Sequence, residues 1–113
     1  MIDYSKPTAQ MLGRWQPWHK GHFELFKKIL EKTGQVCIMV RDMPRSESNP
    51  FDFETIKINI KKELKYYTGK FEVIKVPNIT FIGYGRKVGY EIKEIVLPED
   101  IQKISATEIR KKL

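Results

Sequence analysis

The sequence predicts an α/β fold, a single Rossmann-like domain with an open parallel sheet of about five strands and helices on both faces. Three observations carry this. Short apolar strand-like runs alternate with stretches of helical spacing, the order that a parallel sheet with crossover helices produces. Right-handed crossovers then give an open, doubly wound arrangement. The chain has 113 residues, enough for one core and too few for two. Residues 1–113 therefore read as one domain, without internal repeats or low-complexity segments.

Thr8 to Leu12 reads as the first strand. His22 to Lys32 follows as a helix, because Phe23, Phe26 and Leu30, with Leu25 and Ile29, recur at helical spacing. Gly34 is its expected stop. Gln35 to Val40 reads as a buried strand, and Asp42 to Phe53, rich in prolyl and polar turn signals, as a loop. Asp52 to Tyr66 reads as a second helix with Ile56, Ile60 and Leu64 on its core face. Phe71 to Val76 is a third strand, ended by Pro77. Thr80 to Tyr84 and Tyr90 to Leu97 are expected as a fourth and fifth strand. Pro98 to Gln102 is a connector, and Ser105 to Leu113 a final helix.

Composition narrows the classes. Hydrophobic residues make up 41% and charged residues 31%, the balance of a globular chain rather than a disordered one. The longest apolar run, Val36 to Val40, is far too short to span a bilayer. Met1-Ile2-Asp3-Tyr4-Ser5 lacks the apolar core of a signal peptide. The single cysteine, Cys37, allows no internal disulfide and is expected as a small buried hydrophobe. A cytoplasmic protein is the default. The net charge of +7 favours anionic partners without choosing among them. Lys57, Lys61, Lys62 and Lys65 read as a solvated helix face.

Gly13-Arg14-Trp15-Gln16-Pro17-Trp18-His19-Lys20-Gly21-His22 is the richest stretch. It holds both histidines of the chain and joins the first strand to the first helix. Such a junction aims backbone N–H groups and a positive dipole end at one spot. Imidazoles donate hydrogen bonds near neutral pH, and Gly21 allows close approach. Together these describe a phosphate site. Near the other end, Ser105 reads as an N-cap with Glu108 as its capping-box partner. Thr107 and Arg110 then share one face of the last helix, and a hydroxyl beside a guanidinium suits phosphate oxygens. Zinc is a poor fit to His19 and His22, since no third ligand stands near. Trp15 and Trp18 read as core residues, with stacking on a ligand as the alternative. Gly83-Tyr84-Gly85-Arg86-Lys87-Val88-Gly89 is not a dinucleotide fingerprint, because its glycine spacing is wrong. Gly85 could admit a ligand and Arg86 meet an anion; a plain turn with a solvated arginine is the other reading.

His19-Lys20-Gly21-His22 and Ile104-Ser105-Ala106-Thr107-Glu108-Ile109-Arg110 together resemble the H-x-G-H and I-S-x-T-x-I-R-like motifs of the nucleotidylyltransferase superfamily. The string Gly13 to His22 is most similar to archaeal-type nicotinamide mononucleotide adenylyltransferases, and Asn49-Pro50-Phe51 resembles a segment that those enzymes carry. The resemblance implies transfer of a nucleoside monophosphate, AMP favoured over CMP, from ATP or CTP to a phosphorylated small-molecule acceptor, with pyrophosphate leaving. It implies catalytic contacts from His19 and His22. Phosphate contacts fall to Gly13, Arg14, Gly21, Ser105, Thr107 and Arg110, and further nucleotide or acceptor contacts to Lys20, Trp18, Gly85 and Arg86. Mg²⁺ would arrive on the triphosphate, with no metal ligands from the protein. Neither nucleic acid nor membrane is an expected partner, and a homo-oligomer stays open. The chain is shorter than those adenylyltransferases, which leaves the acceptor undetermined. A catalytically silent nucleotide-binding or regulatory module is the alternative function. A basic nucleic-acid-binding protein is a remoter one.

Overall fold

The computed structural model describes residues 1–86 and 89–113. The element order is β1 (Ala9–Gly13), α1 (Lys20–Thr33), β2 (Val36–Arg41), α2 (Phe53–Glu63), a 3₁₀ turn (Lys65–Tyr67), β3 (Phe71–Val76), α3 (Glu99–Gln102) and α4 (Ala106–Lys111). The three strands form one parallel sheet of order β1-β2-β3. Met11 lies opposite Ile38, and Ile38 opposite Val73.

Alternation along the strands sorts the sheet faces. Val36, Ile38 and Val40 are buried while Cys37, Met39 and Arg41 are half-exposed. Neighbours in register repeat the pattern, with Met11, Phe71 and Val73 buried. The buried face carries the core: Phe26 from α1 joins Ile56 and Ile60 of α2, Leu64 and these strand residues in one cluster. Phe26 meets Phe71 edge to face, with ring centroids 6.0 Å apart. α1 ends where Gly34 takes φ +81° and returns its N–H to the Leu30 carbonyl, a left-handed cap that costs glycine little. Asp52 starts α2 by accepting the Thr55 N–H.

Two sequence expectations are corrected here. Sequential strands in the order β1-β2-β3, joined by crossovers of one hand, place α1 and α2 on the same face. The helices therefore cover one face rather than two. The opposite face presents Leu12, Met39 and Ile74, half-exposed and in register. Cys37 lies there too and is half-buried, not buried; its thiol pKa is raised by burial first and by the Glu72 charge second.

The sheet also has three strands, not about five. Among the described residues, neither the 80–84 nor the 90–97 segment forms a strand. Phe81 is 84% exposed, and Ile82, Tyr84, Ile92 and Val96 are exposed as well. Alternating apolar residues make a strand only when a neighbouring strand supplies the hydrogen bonds. Glycines at 83, 85 and 89 weaken any strand there. Glu91, Lys93 and Ile95 do reach the flank of β1, bordering a hollow with Ala9, Gln10 and Ile29. The connector before the last helix holds the short helix α3, which packs on α1. No helix is long and apolar enough to cross a membrane, among the described residues.

Candidate functional site

β1 ends at Gly13, and the chain turns sharply there. A Cβ on Gly13 would lie 2.7 Å from the Trp15 indole, so the tryptophan packs where a side chain would stand. Trp15 itself has φ +53°, a conformation that most residues adopt only under constraint. Its indole N–H donates to the Met39 carbonyl at 3.0 Å. Trp15 and Trp18 are both buried, with ring centroids 5.2 Å apart. Both tryptophans belong to the buried core cluster, and Trp18 also lines a hollow with His19 and Lys20. The Trp18 indole N–H is buried and finds no hydrogen-bond partner among the described residues.

His19 is the N-cap of α1, which begins at Lys20, earlier than the apolar spacing implies. His19 Nδ1 accepts the Gly21 N–H at 3.0 Å, and His22 Nδ1 accepts the His19 N–H at 3.1 Å. The two histidines thus form a reciprocal capping box, a role usually filled by Ser or Thr with Glu or Gln. Their rings stack, with centroids 3.6 Å apart and planes 21° from parallel. The edge of Trp15 meets His22 at a centroid distance of 4.7 Å, and Trp18 lies 5.5 Å away. Gly21 is obligatory, since a Cβ there would stand 2.8 Å from His19 Cε1.

This geometry settles the proton inventory. Each Nδ1 accepts a backbone N–H, so in the neutral ring the proton sits on Nε2. Burial, followed by the neighbouring His19, pushes the His22 pKa down to about 3. Burial also lowers that of His19. Both shifts favour the uncharged ring, whose Nε2–H the cap does not use, at the positive end of the α1 dipole.

The C-terminal motif docks onto this loop. Arg110 Nη1 donates to the Gln16 carbonyl at 2.6 Å, and Nη2 donates to Thr107 Oγ1 at 3.3 Å. The Ile101 carbonyl lies 3.6 Å from where a Gly21 Cβ would be, so α3 passes directly over the start of α1. Ser105 caps α4 by accepting the Glu108 N–H at 3.5 Å. The other half of the expected capping box is absent, because the Glu108 carboxylate pairs with Lys111 instead. The two motifs meet through the backbone, yet their side chains border different hollows. His19 and Lys20 line one of about 290 Å³ with Trp18, Phe23 and Glu63. Thr107 and Arg110 line another of about 420 Å³ with Glu47, Ser48 and Pro50.

Arg14 is half-buried and donates to Asn49 Oδ1 at 3.5 Å. Gly85 and Arg86 stand apart from this cluster at exposed positions. Among the described residues, nothing lies within 4 Å of a Cβ placed on Gly85, and the Arg86 carbonyl accepts the Tyr90 hydroxyl. Lys87 and Val88 of that glycine-rich stretch lie outside the described residues. Sequence reasoning missed Gln16, which is only 3% exposed. A lone amide between Trp15 and Pro17, beside an apolar strand, was the available signal, since a buried amide demands partners. Among the described residues, no three His, Cys, Asp or Glu side chains gather as a cation site.

The strand-to-helix junction with its paired histidines and the C-terminal Ser-x-Thr helix are thus joined in one structure, and comparison with known proteins shows what the chain is similar to. Over part of its length it is similar to archaeal nicotinamide-nucleotide adenylyltransferases. It is 36% identical over 75 residues to the nicotinamide-nucleotide adenylyltransferase of Methanococcus vannielii, which covers 65% of this chain and 44% of that one. The enzyme of the same name from Thermoplasma acidophilum is 36% identical over 53 residues, 45% of this chain and 30% of the other. A crystal structure of a bifunctional NMN adenylyltransferase/ADP ribose pyrophosphatase from Francisella tularensis, complexed with AMP and a manganese ion, matches with a TM-score of 0.52 and 28% identity. That match covers 64% of this chain and 22% of the other. The chain thus spans less than half the length of the curated relatives it matches. No protein-family profile matches it.

Proposed function

We propose that the protein is a nucleotidylyltransferase that moves AMP from ATP to a phosphorylated small-molecule acceptor and releases pyrophosphate. The observation that carries this is the stacked, neutral His19–His22 pair. Its two Nδ1 atoms are held by backbone N–H groups, which leaves two Nε2–H donors side by side at the head of α1. The names of the relatives make nicotinamide mononucleotide the first acceptor to test and ATP the first donor. CTP is the second donor.

The reaction needs no protein nucleophile. An acceptor phosphate oxygen forms a bond to the α-phosphorus, and the bond from that phosphorus to the bridging oxygen of pyrophosphate breaks. The obstacle is charge, so positioning and electrostatic stabilisation carry the catalysis. His22 would hydrogen-bond the α-phosphate as negative charge builds there, with His19 beside it. Because both rings are neutral and fixed by their caps, they donate without reorganising. Arg110, Thr107 and Ser105 would hold the β- and γ-phosphates, with Arg14 supplying a further cation. Gly13 and Gly21 make room for the Trp15 and His19 rings there, and Lys20 adds charge at the first turn. One carboxylate borders each hollow, Glu63 and Glu47, and among the described residues no cluster of three ligands gathers, which suits a divalent ion carried by the phosphates rather than chelated by the protein. Mg²⁺ bound in that way would neutralise phosphate charge.

Pyrophosphate release measured with ATP and CTP, with and without nicotinamide mononucleotide, in Mg²⁺ or Mn²⁺, tests the reading. Release that needs both a triphosphate and a phosphorylated acceptor supports it. Binding without turnover for every acceptor tried favours a silent nucleotide-binding module instead.

A further inference from the structure

We propose that Gln16 is a positioning residue that holds Arg110 in register with the histidine pair. The proposal rests on the triphosphate reading above and deepens it. Gln16 works from both of its ends. Its side-chain Nε2 donates to the Phe51 carbonyl at 3.0 Å, and its Oε1 accepts the Phe51 N–H at 3.0 Å. This pair imitates the two-bond exchange between facing residues of an antiparallel ladder. The main-chain carbonyl of the same residue accepts Arg110 Nη1.

The surroundings make this junction rigid. Trp15, the preceding residue, is fixed by its indole bond to Met39. Arg14 ties the loop to Asn49, and Asn49 Nδ2 donates to Ser46 Oγ. The segment before α2 is therefore fastened to the histidine loop at two points, through Asn49 and through Phe51. A guanidinium offers five N–H donors. Arg110 spends one on Gln16 and one on Thr107. The guanidinium is thereby held before any ligand arrives, which lowers the entropic cost of ordering a long side chain. Without the Gln16 amide, the 16–17 peptide loses its hold on Phe51, and the carbonyl that anchors Arg110 is free to turn. Gln16 would then act through Arg110 and not by touching phosphate.

A double-mutant cycle tests this. Gln16→Met removes both amide bonds at nearly constant volume, Arg110→Ala removes the guanidinium, and the double variant combines them. Mg²⁺-ATP affinity should fall on the order of tenfold in Gln16→Met, the scale of one or two lost hydrogen bonds. The KM for ATP should rise with it, while kcat stays within about threefold, because the contact already exists in the ground state. The double variant should bind within about twofold of Arg110→Ala alone, the non-additivity of residues that act as a unit. Multiplicative losses would overturn the proposal. The same cycle is read by urea denaturation without ligand, where the stability losses should again be less than additive. A wild-type protein that binds no triphosphate overturns the adenylyl-transfer reading. The ligand-free cycle still decides the Gln16–Arg110 coupling, and additive losses there refute it. Gln16→Glu, which keeps the acceptor for the Phe51 N–H, carries the cycle if Gln16→Met does not fold.

Discussion

The imidazole of His19 lies flat against that of His22, 3.6 Å between centroids, while each Nδ1 accepts a backbone N–H from the other's neighbourhood. Two rings so close cannot both become imidazolium cations at modest cost. Capping and phosphate binding are usually rival explanations for histidines at a helix start. Here the cap uses the Nδ1 atoms and leaves the Nε2–H groups for a ligand.

Stability should therefore depend on pH. The His22 pKa is depressed in the folded protein, to about 3, against an unfolded value near 6.5. Between those values the unfolded chain binds the extra proton. Stability is then fully present above about pH 6.5 and is lost as pH falls toward 3, at roughly 1.4 kcal/mol per pH unit where only the unfolded state is protonated. Urea melts from pH 7.5 to 4.5 would show it. His22→Gln should flatten the slope, and an unchanged slope would refute the assignment.

Bound triphosphate should reverse part of that shift. Phosphate oxygens near Nε2 favour the charged ring, so the His22 pKa should rise on adding ATP with Mg²⁺. An NMR titration of the two imidazoles reads this directly. Identical titration curves with and without ATP would place the phosphates elsewhere.

Removing His22 and removing Arg110 should differ in kind. His22→Ala should lower kcat by roughly 10²–10³, as does losing one preorganised donor to developing charge, with a smaller loss of affinity. Arg110→Ala should raise the KM for ATP first, because the oxygens it meets are already charged in the ground state. Circular dichroism must show both variants folded. Wild-type turnover in His22→Ala would remove that residue from the mechanism.

Gly21→Ala should disable the cap without removing a polar group. The new Cβ would stand 2.8 Å from His19 Cε1, which forces the ring off its stack. Loss of the N-cap costs about 1 kcal/mol, and the crowding adds about 1–3 kcal/mol more. Thermal melts read the stability, and ATP titration should show weakened binding. A variant as stable and as tight-binding as wild type would contradict the stacked arrangement.

Saturating ATP with Mg²⁺ should raise the melting temperature of the wild type. A ligand at a hundred times its Kd adds about 2.7 kcal/mol, a shift of several degrees in a domain of this size. No shift with ATP or CTP at millimolar concentration would dispose of the shared phosphate site.

Local patterns were legible where the local code and the fold agree. The spacing of Phe23, Phe26 and Leu30 and of Ile56, Ile60 and Leu64 marked α1 and α2 to within a few residues. The apolar runs marked β1, β2 and β3. The pattern around Phe81 and Ile82 looks equally strand-like, but those side chains stay exposed, because strand formation depends on a partner that no local window contains. The face occupied by the helices depends likewise on strand order, and the path of the Glu108 carboxylate on the competing Lys111.

The sequence by itself determined the parallel α/β core, the two motifs at its ends and the residues that could meet phosphate, since spacing and side-chain chemistry are local properties. Tertiary structure alone decided that the histidines cap each other, that the final helix reaches back across 94 positions through Arg110 and Gln16, and that a buried glutamine ties the loop together. Those facts depend on which distant backbone groups stand within hydrogen-bonding distance, and a hydrogen bond is satisfied in space, not in sequence.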